Sequence, residues 1–288
     1  MKKLFAVLLA LAMIFSMAAC SSGGGEEAAG GEETAEPANR LEAIKARGYI
    51  EMATEPYWAP MEFIDSSKTG DDQYQGVDIE LGKYIAEKLG VELRIVPLEF
   101  SAVLASITEG KYDMAISALA YSPGRAENMN MSVGYRFGEE AASYGFILRE
   151  GEEGKIVNAE DCKDLVLVTQ SGSVQEGFVN DQIPAYKDLK LVSSMTDGYL
   201  MVSEGKADAC ATDINNGQLY AEANGGLAIS SFRFVVDEST QGTRVGVPKG
   251  EDELTEFING CIEELRAEGT IDKWYDEYSD YARSLGIE

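Results

Sequence analysis

Glu109-Gly110-Lys111-Tyr112-Asp113-Met114-Ala115-Ile116-Ser117 is echoed later in the chain by Glu204-Gly205-Lys206-Ala207-Asp208-Ala209-Cys210-Ala211-Thr212, with the two aspartates 95 positions apart. Each stretch follows a short amphipathic run with helical spacing, Ser101 to Thr108 and Thr196 to Ser203. Its Gly stands where a helix C-terminus needs φ > 0, and the small or apolar run after it predicts a buried strand. Strands are also expected before each helix, over Glu92 to Val96 and Leu189 to Ser193. The chain thus contains one strand-helix-strand unit twice, which predicts two α/β lobes of similar construction rather than one large sheet. Facing lobes make a cleft, and ligands of open parallel sheets bind beyond the carboxyl ends of the strands.

Composition narrows the function classes. The chain has 288 residues, 45% of them hydrophobic, enough for one or two substantial cores. It has no His, which excludes Ser-His and Cys-His hydrolytic triads, His-dependent zinc sites and a His general base; no metal or cofactor is expected. Residues 1–19 carry two Lys and then an uncharged run, Leu4 to Ala19, before Cys20. That order is an export signal, too short and wrongly flanked for a permanent span. Without those residues the charge becomes −28, from 22 basic and 50 acidic residues. A field of that sign repels nucleic-acid phosphates and anionic headgroups and favours cationic or zwitterionic small ligands. Cys210 and Cys261 fall on apolar faces and read as small buried hydrophobes; nothing supports a disulfide at Cys162.

Met17-Ala18-Ala19-Cys20 resembles the bacterial lipobox, in which the Cys is lipidated and becomes the mature N-terminus; the alternative is an ordinary signal cut after Ala19. Ser21 to Asn39, rich in Gly, Glu, Ala and Ser, follows as a flexible tether spanning about 25 Å r.m.s.. The lipid at Cys20 would do the anchoring.

Further elements fall into place around the repeat. Leu41 to Arg47 predicts a helix and Tyr49 to Thr54 a strand that feeds Glu55-Pro56-Tyr57-Trp58-Ala59-Pro60, whose aromatics either plug a core edge or line a cleft. A helix is expected from Asp78, as N-cap, to Gly90. Ala118 to Arg125 reads as a loop with a Ser122-Pro123-Gly124 turn, and Tyr144 to Leu148 as a strand. The strand Leu165 to Thr169 runs through a small-residue loop into a helix capped by Ser173, whose free N–H groups make an anion site. Arg244 to Pro248 is a short strand, and the last long helix carries Leu254, Ile258, Cys261, Ile262 and Leu265 before stopping near Gly269.

From Leu41 onward the sequence resembles an extracytoplasmic solute-binding protein of the polar amino-acid type (bacterial solute-binding family 3), the binding component of an ABC importer. The stretches that carry the likeness, in family order, are TEPYWAPMEF (54–63), GVDIELGKYIAEKLG (76–90), EGKYDMAISALAYSPGR (109–125), TQSGSVQEGF (169–178) and EGKADACATD (204–213). The resemblance implies an α/β, two-lobed periplasmic-binding-protein-like fold of type II, each lobe a central sheet flanked by helices, joined by two hinge crossings near Ile147 to Glu150 and Gln241 to Gly246. Lobe 1 is then 41–147 plus 243–288 and lobe 2 is 148–242, after a signal (1–19) and a lipidated tether (20–40).

The resemblance also implies site roles that the chemistry supports. Arg125 would grip the ligand α-carboxylate with its fork of donors; the plainer reading is a surface Arg after a turn. Ser173 and the Val174 N–H would complete the anion grip, and Asp213 would take the α-ammonium, with an N-cap role open beside it. Ser117, Ala118 and Ala120 would offer groups at a strand end. Trp58 and Phe100 would sandwich the ligand side chain, although Phe100 serves equally as core. Glu55 stands where binders of basic amino acids carry an acid. Departures are Ala118 and Ala120, which lack hydroxyls, and MSVGYRFG (131–138), which replaces the customary Phe-Ser-x-Pro-Tyr. They leave open a modified amino acid, a short peptide fragment or an opine.

The expectation is therefore a monomeric, non-enzymatic receptor outside the cytoplasmic membrane that closes on an amino-acid-like solute and presents it to a permease. Two rivals stand beside it: a cyclohexadienyl-dehydratase-like enzyme on the same scaffold, with Glu55 or Asp213 as acid, and a ligand-sensing partner of a membrane receptor.

Overall fold

The computed structural model describes residues 37–137, 144–237 and 241–287. Cys20, the signal and the tether up to residue 36 lie outside these residues; the end expected for the tether is instead ordered, with Asn39 capping the first helix and Arg40 as its first residue. In chain order the elements are α1 (Arg40–Arg47), β1 (Tyr49–Thr54), β2 (Tyr57–Trp58), β3 (Glu62–Ile64), β4 (Tyr74–Gln75), α2 (Val77–Leu89), β5 (Glu92–Pro97), α3 (Phe100–Thr108), β6 (Met114–Ala120), α4 (Pro123–Asn128) and β7 (Met129–Met131). They continue with β8 (Tyr144–Arg149), β9 (Val166–Gln170), α5 (Val174–Gln182), β10 (Asp188–Val192), α6 (Met195–Ser203), β11 (Ala209–Asp213), α7 (Ile214–Asn224), β12 (Leu227–Arg233), β13 (Thr243–Pro248), α8 (Asp252–Ala267) and α9 (Thr270–Leu285).

The strands form two mixed five-stranded sheets, ordered β5-β1-β6-β13-β7 and β10-β9-β11-β8-β12, with a small antiparallel sheet β2-β3-β4 beside the first. In each large sheet the first three strands are parallel and the fourth is antiparallel. This is the type II arrangement. The echoed stretches are β5-α3-β6 and β10-α6-β11, each placed with its two strands on either side of a central strand, β1 or β9.

The repeat is built alike in both halves. Gly110 and Gly205 take φ of 69° and 73° just past α3 and α6, the left-handed turn that glycine permits. The next N–H groups fold back on the helix ends, Lys111 onto the Ser106 carbonyl and Lys206 onto the Met201 carbonyl, both at 2.8 Å. The repeated aspartates each clamp the central strand: Asp113 accepts the Glu51 N–H at 2.8 Å and Asp208 the Val166 N–H at 2.8 Å. Strands β6 and β11 then carry buried small or apolar residues through the sheet centre, which brings their carboxyl ends to the same edge as those of β1 and β9.

Separate apolar clusters hold each half: Ile50, Met52, Ile79, Ile85 and Ile258 around the first sheet, Phe146, Leu148, Leu167 and Ala211 on the second. Cys162, Cys210 and Cys261 are all free and buried.

Several expectations change. Tyr144–Arg149 pairs with β11 and β12, so the whole strand belongs to the second sheet and the chain has already left the first before Tyr144; the expected crossing at Ile147 to Glu150 lies inside a strand. Asp78 is not an N-cap. Helix α2 starts from Gly76, at φ 124°, because a Cβ there would stand 2.2 Å from the Met61 carbonyl oxygen, and Asp78 turns inward and is buried. The expected loop over Ala118 to Arg125 is instead the end of β6 and the start of α4, with Ser122 as N-cap. A further helix, α9, follows Gly269. It buries Ile271 and Ala282, and half-buried tyrosines flank them: Tyr278 donates to Glu80 and Tyr281 to Asp65, so their hydroxyls find partners in the fold.

Candidate functional site

A cavity of about 160 Å³ opens between the two sheets, lined from the first by Glu55, Trp58, Ser117 and Arg125 and from the second by Gln170, Ser173 and Asp213. That is well below the roughly 300–1,000 Å³ of drug-sized pockets and suits a small solute. All ten ligand-binding positions expected from sequence line the cavity wall, among them Glu55 just past β1, Ala118 and Ala120 on β6, Val174 at the start of α5 and Asp213 at the end of β11.

Arg125 is buried, with Nη1 donating to the Ala120 carbonyl at 2.7 Å and Nη2 to the Gly172 carbonyl at 2.9 Å. Its Cζ lies 5.4 Å from the centre of the Phe100 ring, which is itself buried among Val103, Ile107 and Leu119; Phe100 is both core and cleft wall. Among the described residues no carboxylate pairs with Arg125, and burial lowers its pKa to about 10. A buried guanidinium without a counter-charge is a receptor for an anion.

Facing it, Ser173 caps α5 by accepting the Glu176 N–H at 3.2 Å, so the first-turn N–H of Val174 has no helical partner to take. Asp213 caps α7 through one oxygen, Oδ1, which accepts the N–H groups of Asn215 and Asn216 at 3.0 and 3.1 Å. The N-cap reading of Asp213 therefore holds: Oδ1 is spent on the cap, and Oδ2 accepts no hydrogen bond among the described residues. Burial raises the Asp213 pKa, a cost that an ammonium group would offset.

Other expected groups are committed within the protein. The Ser117 hydroxyl accepts the Glu55 N–H at 3.0 Å and donates to Glu62 Oε1 at 3.0 Å. Ala118, at φ 45°, points its N–H to Asp78 Oδ2 at 2.7 Å, away from the cavity. Trp58 packs against apolar clusters of both halves. The Glu55 carboxyl is buried and accepts from Gln170 Nε2 at 2.7 Å; desolvation raises its pKa from 4.5 to about 7. Among the described residues two hydrogen bonds thus join the halves across the cleft, Gln170 to Glu55 and Arg125 to Gly172.

Sequence reasoning missed four residues. Glu62 and Asp78 are both buried: burial, and then the Asp78 charge, pushes the Glu62 carboxyl well above its ordinary range, and burial also raises Asp78, against the pull of its contact with Glu62 and of hydrogen bonds from the Ala118 N–H and the Tyr135 hydroxyl. The Tyr135 hydroxyl donates to Asp78 Oδ1 at 2.8 Å. Arg136 lines the cavity wall, its Cζ 3.4 Å from the centre of the Tyr275 ring on α9. Only the unusual MSVGYRFG stretch marked the last two.

A family model for bacterial extracellular solute-binding proteins, family 3, matches residues 50–281. The chain belongs to that family. The match covers both sheets and every cleft residue named above. The L-cystine-binding protein TcyJ of Escherichia coli K12 is 25% identical over 241 residues, 82% of this chain and 85% of the relative. The lysine/arginine/ornithine-binding periplasmic protein of the same organism is 26% identical over 247 residues, 81% and 88% of the two chains. A crystal structure of the amino acid ABC transporter substrate-binding protein AbpA from Streptococcus pneumoniae, bound to L-arginine, superimposes with a TM-score of 0.74 at 29% identity, covering 86% of this chain and 99% of that one. This member of family 3 is a solute-binding protein with the type II fold.

Proposed function

We propose that this extracytoplasmic receptor serves an ABC import system by capturing an amino acid, with the α-carboxylate held by Arg125, Ser173 and the Val174 N–H, and the α-ammonium by Asp213. The observation that carries the reading is the buried, uncompensated Arg125 across a small cavity from a carboxylate with one oxygen unspent. A zwitterion supplies both missing charges at once. Because Arg125 stands on the first half and Asp213 on the second, one solute engages both only in a closed cleft, so the ligand stabilises closure by its own differential affinity. The closed form is what the permease would recognise. Cys20 would hold the protein at the membrane through a lipid, with Ser21 to Asn39 as tether.

Calorimetric titration with the twenty amino acids tests this. Arg125→Ala is expected to weaken every carboxylate ligand about 100-fold, the scale of two charge-assisted hydrogen bonds, with circular dichroism unchanged. Unaltered affinity would remove the site assignment.

A further inference from the structure

Arg136 is the second guanidinium of the cleft, and the capture of a simple zwitterion leaves it without a task. It follows Tyr135 just after β7, and its Cζ stands over the Tyr275 ring, 3.4 Å from the ring centre. Stacking of this kind fixes the plane of a guanidinium and leaves the in-plane N–H groups along its edge for an acceptor. Among the described residues its side chain makes no ion pair and donates no hydrogen bond, and its Nε is shut away from water without a partner. A buried donor left unpaired costs about 1–3 kcal/mol and calls for an explanation.

The acids around it do not supply one. Asp78 feels its charge, but the two Asp78 oxygens are taken by the Ala118 N–H and the Tyr135 hydroxyl. Asp213 feels it too, yet neither of its oxygens lies within ion-pair distance, and one is committed to the α7 cap. Glu55, the acid that would mark a cationic solute, is buried, bonded to Gln170 and raised towards neutrality. In the wall of the cavity the charge left unanswered is therefore positive, beyond the one that Arg125 presents.

We propose that Arg136 is a specificity residue, the receptor for a second anionic group, and that the solute is an acidic amino acid carrying a carboxylate besides the α-carboxylate. The inference deepens the amino-acid reading above and rests on it. A site built to hydrogen bond a polar group rejects the analogue that lacks it, because the receptor is then left buried and unpaired. Arg136 thereby selects acid over amide.

The test is calorimetric titration of the full folded chain with L-glutamate, L-aspartate and L-2-aminoadipate, each beside neutral and cationic amino acids: glutamine, asparagine, lysine and arginine. The expected result is a preference of at least tenfold for one of the acids over its neutral or cationic counterparts. The acid-to-amide ratio should fall about tenfold in Arg136→Gln and be largely restored in Arg136→Lys, which keeps the charge. A wild-type protein that binds neutral or cationic amino acids as tightly as the acids, or an Arg136→Gln variant with an unchanged ratio, would overturn the inference while leaving amino-acid capture standing. Failure of every amino acid to bind, with folding confirmed by its thermal transition, would remove both readings.

Discussion

At Glu55 the physics of a single side chain departs most from what its letter suggests. A glutamate at the end of a strand reads as a charged group waiting for a cation, yet this one is buried and bonded to Gln170, and desolvation lifts its pKa from 4.5 to about 7. The folded state therefore holds its proton more tightly than the unfolded chain does. Below about pH 4.5 both states are protonated and the stabilisation is complete; it is lost as pH rises through about 7, where both are ionised. The size is on the order of 3 kcal/mol across that window. Glu62 and Asp78, also raised, slope the same way, so the informative quantity is a difference. Thermal melts from pH 4.5 to 8 should show wild type losing stability faster than Glu55→Gln, whose amide can keep the Gln170 contact without ionising. Parallel curves would show that Glu55 is not held protonated. Arg125 and Asp213 were singled out through the family resemblance; what their letters disclose by themselves is local, a fork of donors and a cap oxygen, and the structure uses the latter on α7.

Among the elements, the echoed units show how one motif acquires two energetic values. Asp113 is fully buried and gathers Arg40, Arg47 and the Glu51 N–H, while Asp208 keeps a third of its side chain in water and meets Arg149 at 3.6 Å beside the Val166 N–H. Removing one partner of a buried ion pair costs about 3–5 kcal/mol, and a half-exposed one about 1. Chemical denaturation of Asp113→Asn should accordingly show a loss of about 3 kcal/mol and of Asp208→Asn about 1. Equal losses would mean that the strand clamp alone, shared by both, carries the effect. The repeat itself, its glycine turns and its buried strands were legible because each depends on neighbours in sequence. Helix α9 was not, since its tyrosines join the fold by hydroxyl bonds to Glu80 and Asp65, residues some 200 positions away.

For the molecule as a whole, function outside the cytoplasmic membrane needs both the closed cleft and a means of staying near a permease. The segment before the folded part contains one Cys, at 20, after an uncharged run and before a Gly/Ser/Glu-rich stretch. One diacylglyceryl group offers two chains, the number that stable anchoring requires. Expressed in a bacterium, the full chain should sediment with membranes and incorporate labelled fatty acid, and Cys20→Ala should do neither; a membrane-bound Cys20→Ala protein would refute the lipid anchor. Read by itself, the sequence determined the two-lobed architecture and the place of the cleft, because a period of helix and strand repeated twice, with punctuating glycines, specifies local geometry without reference to distant residues; the wall residues it offered came through the resemblance to family 3. Tertiary structure alone decided which charges remain free inside the cleft. Burial and long-range partners raised the pKa of Glu55 and Asp78, occupied Ser117, and brought Arg136 onto Tyr275 from 139 positions away, since the energy of a charge depends on what surrounds it and not on where it stands in the chain.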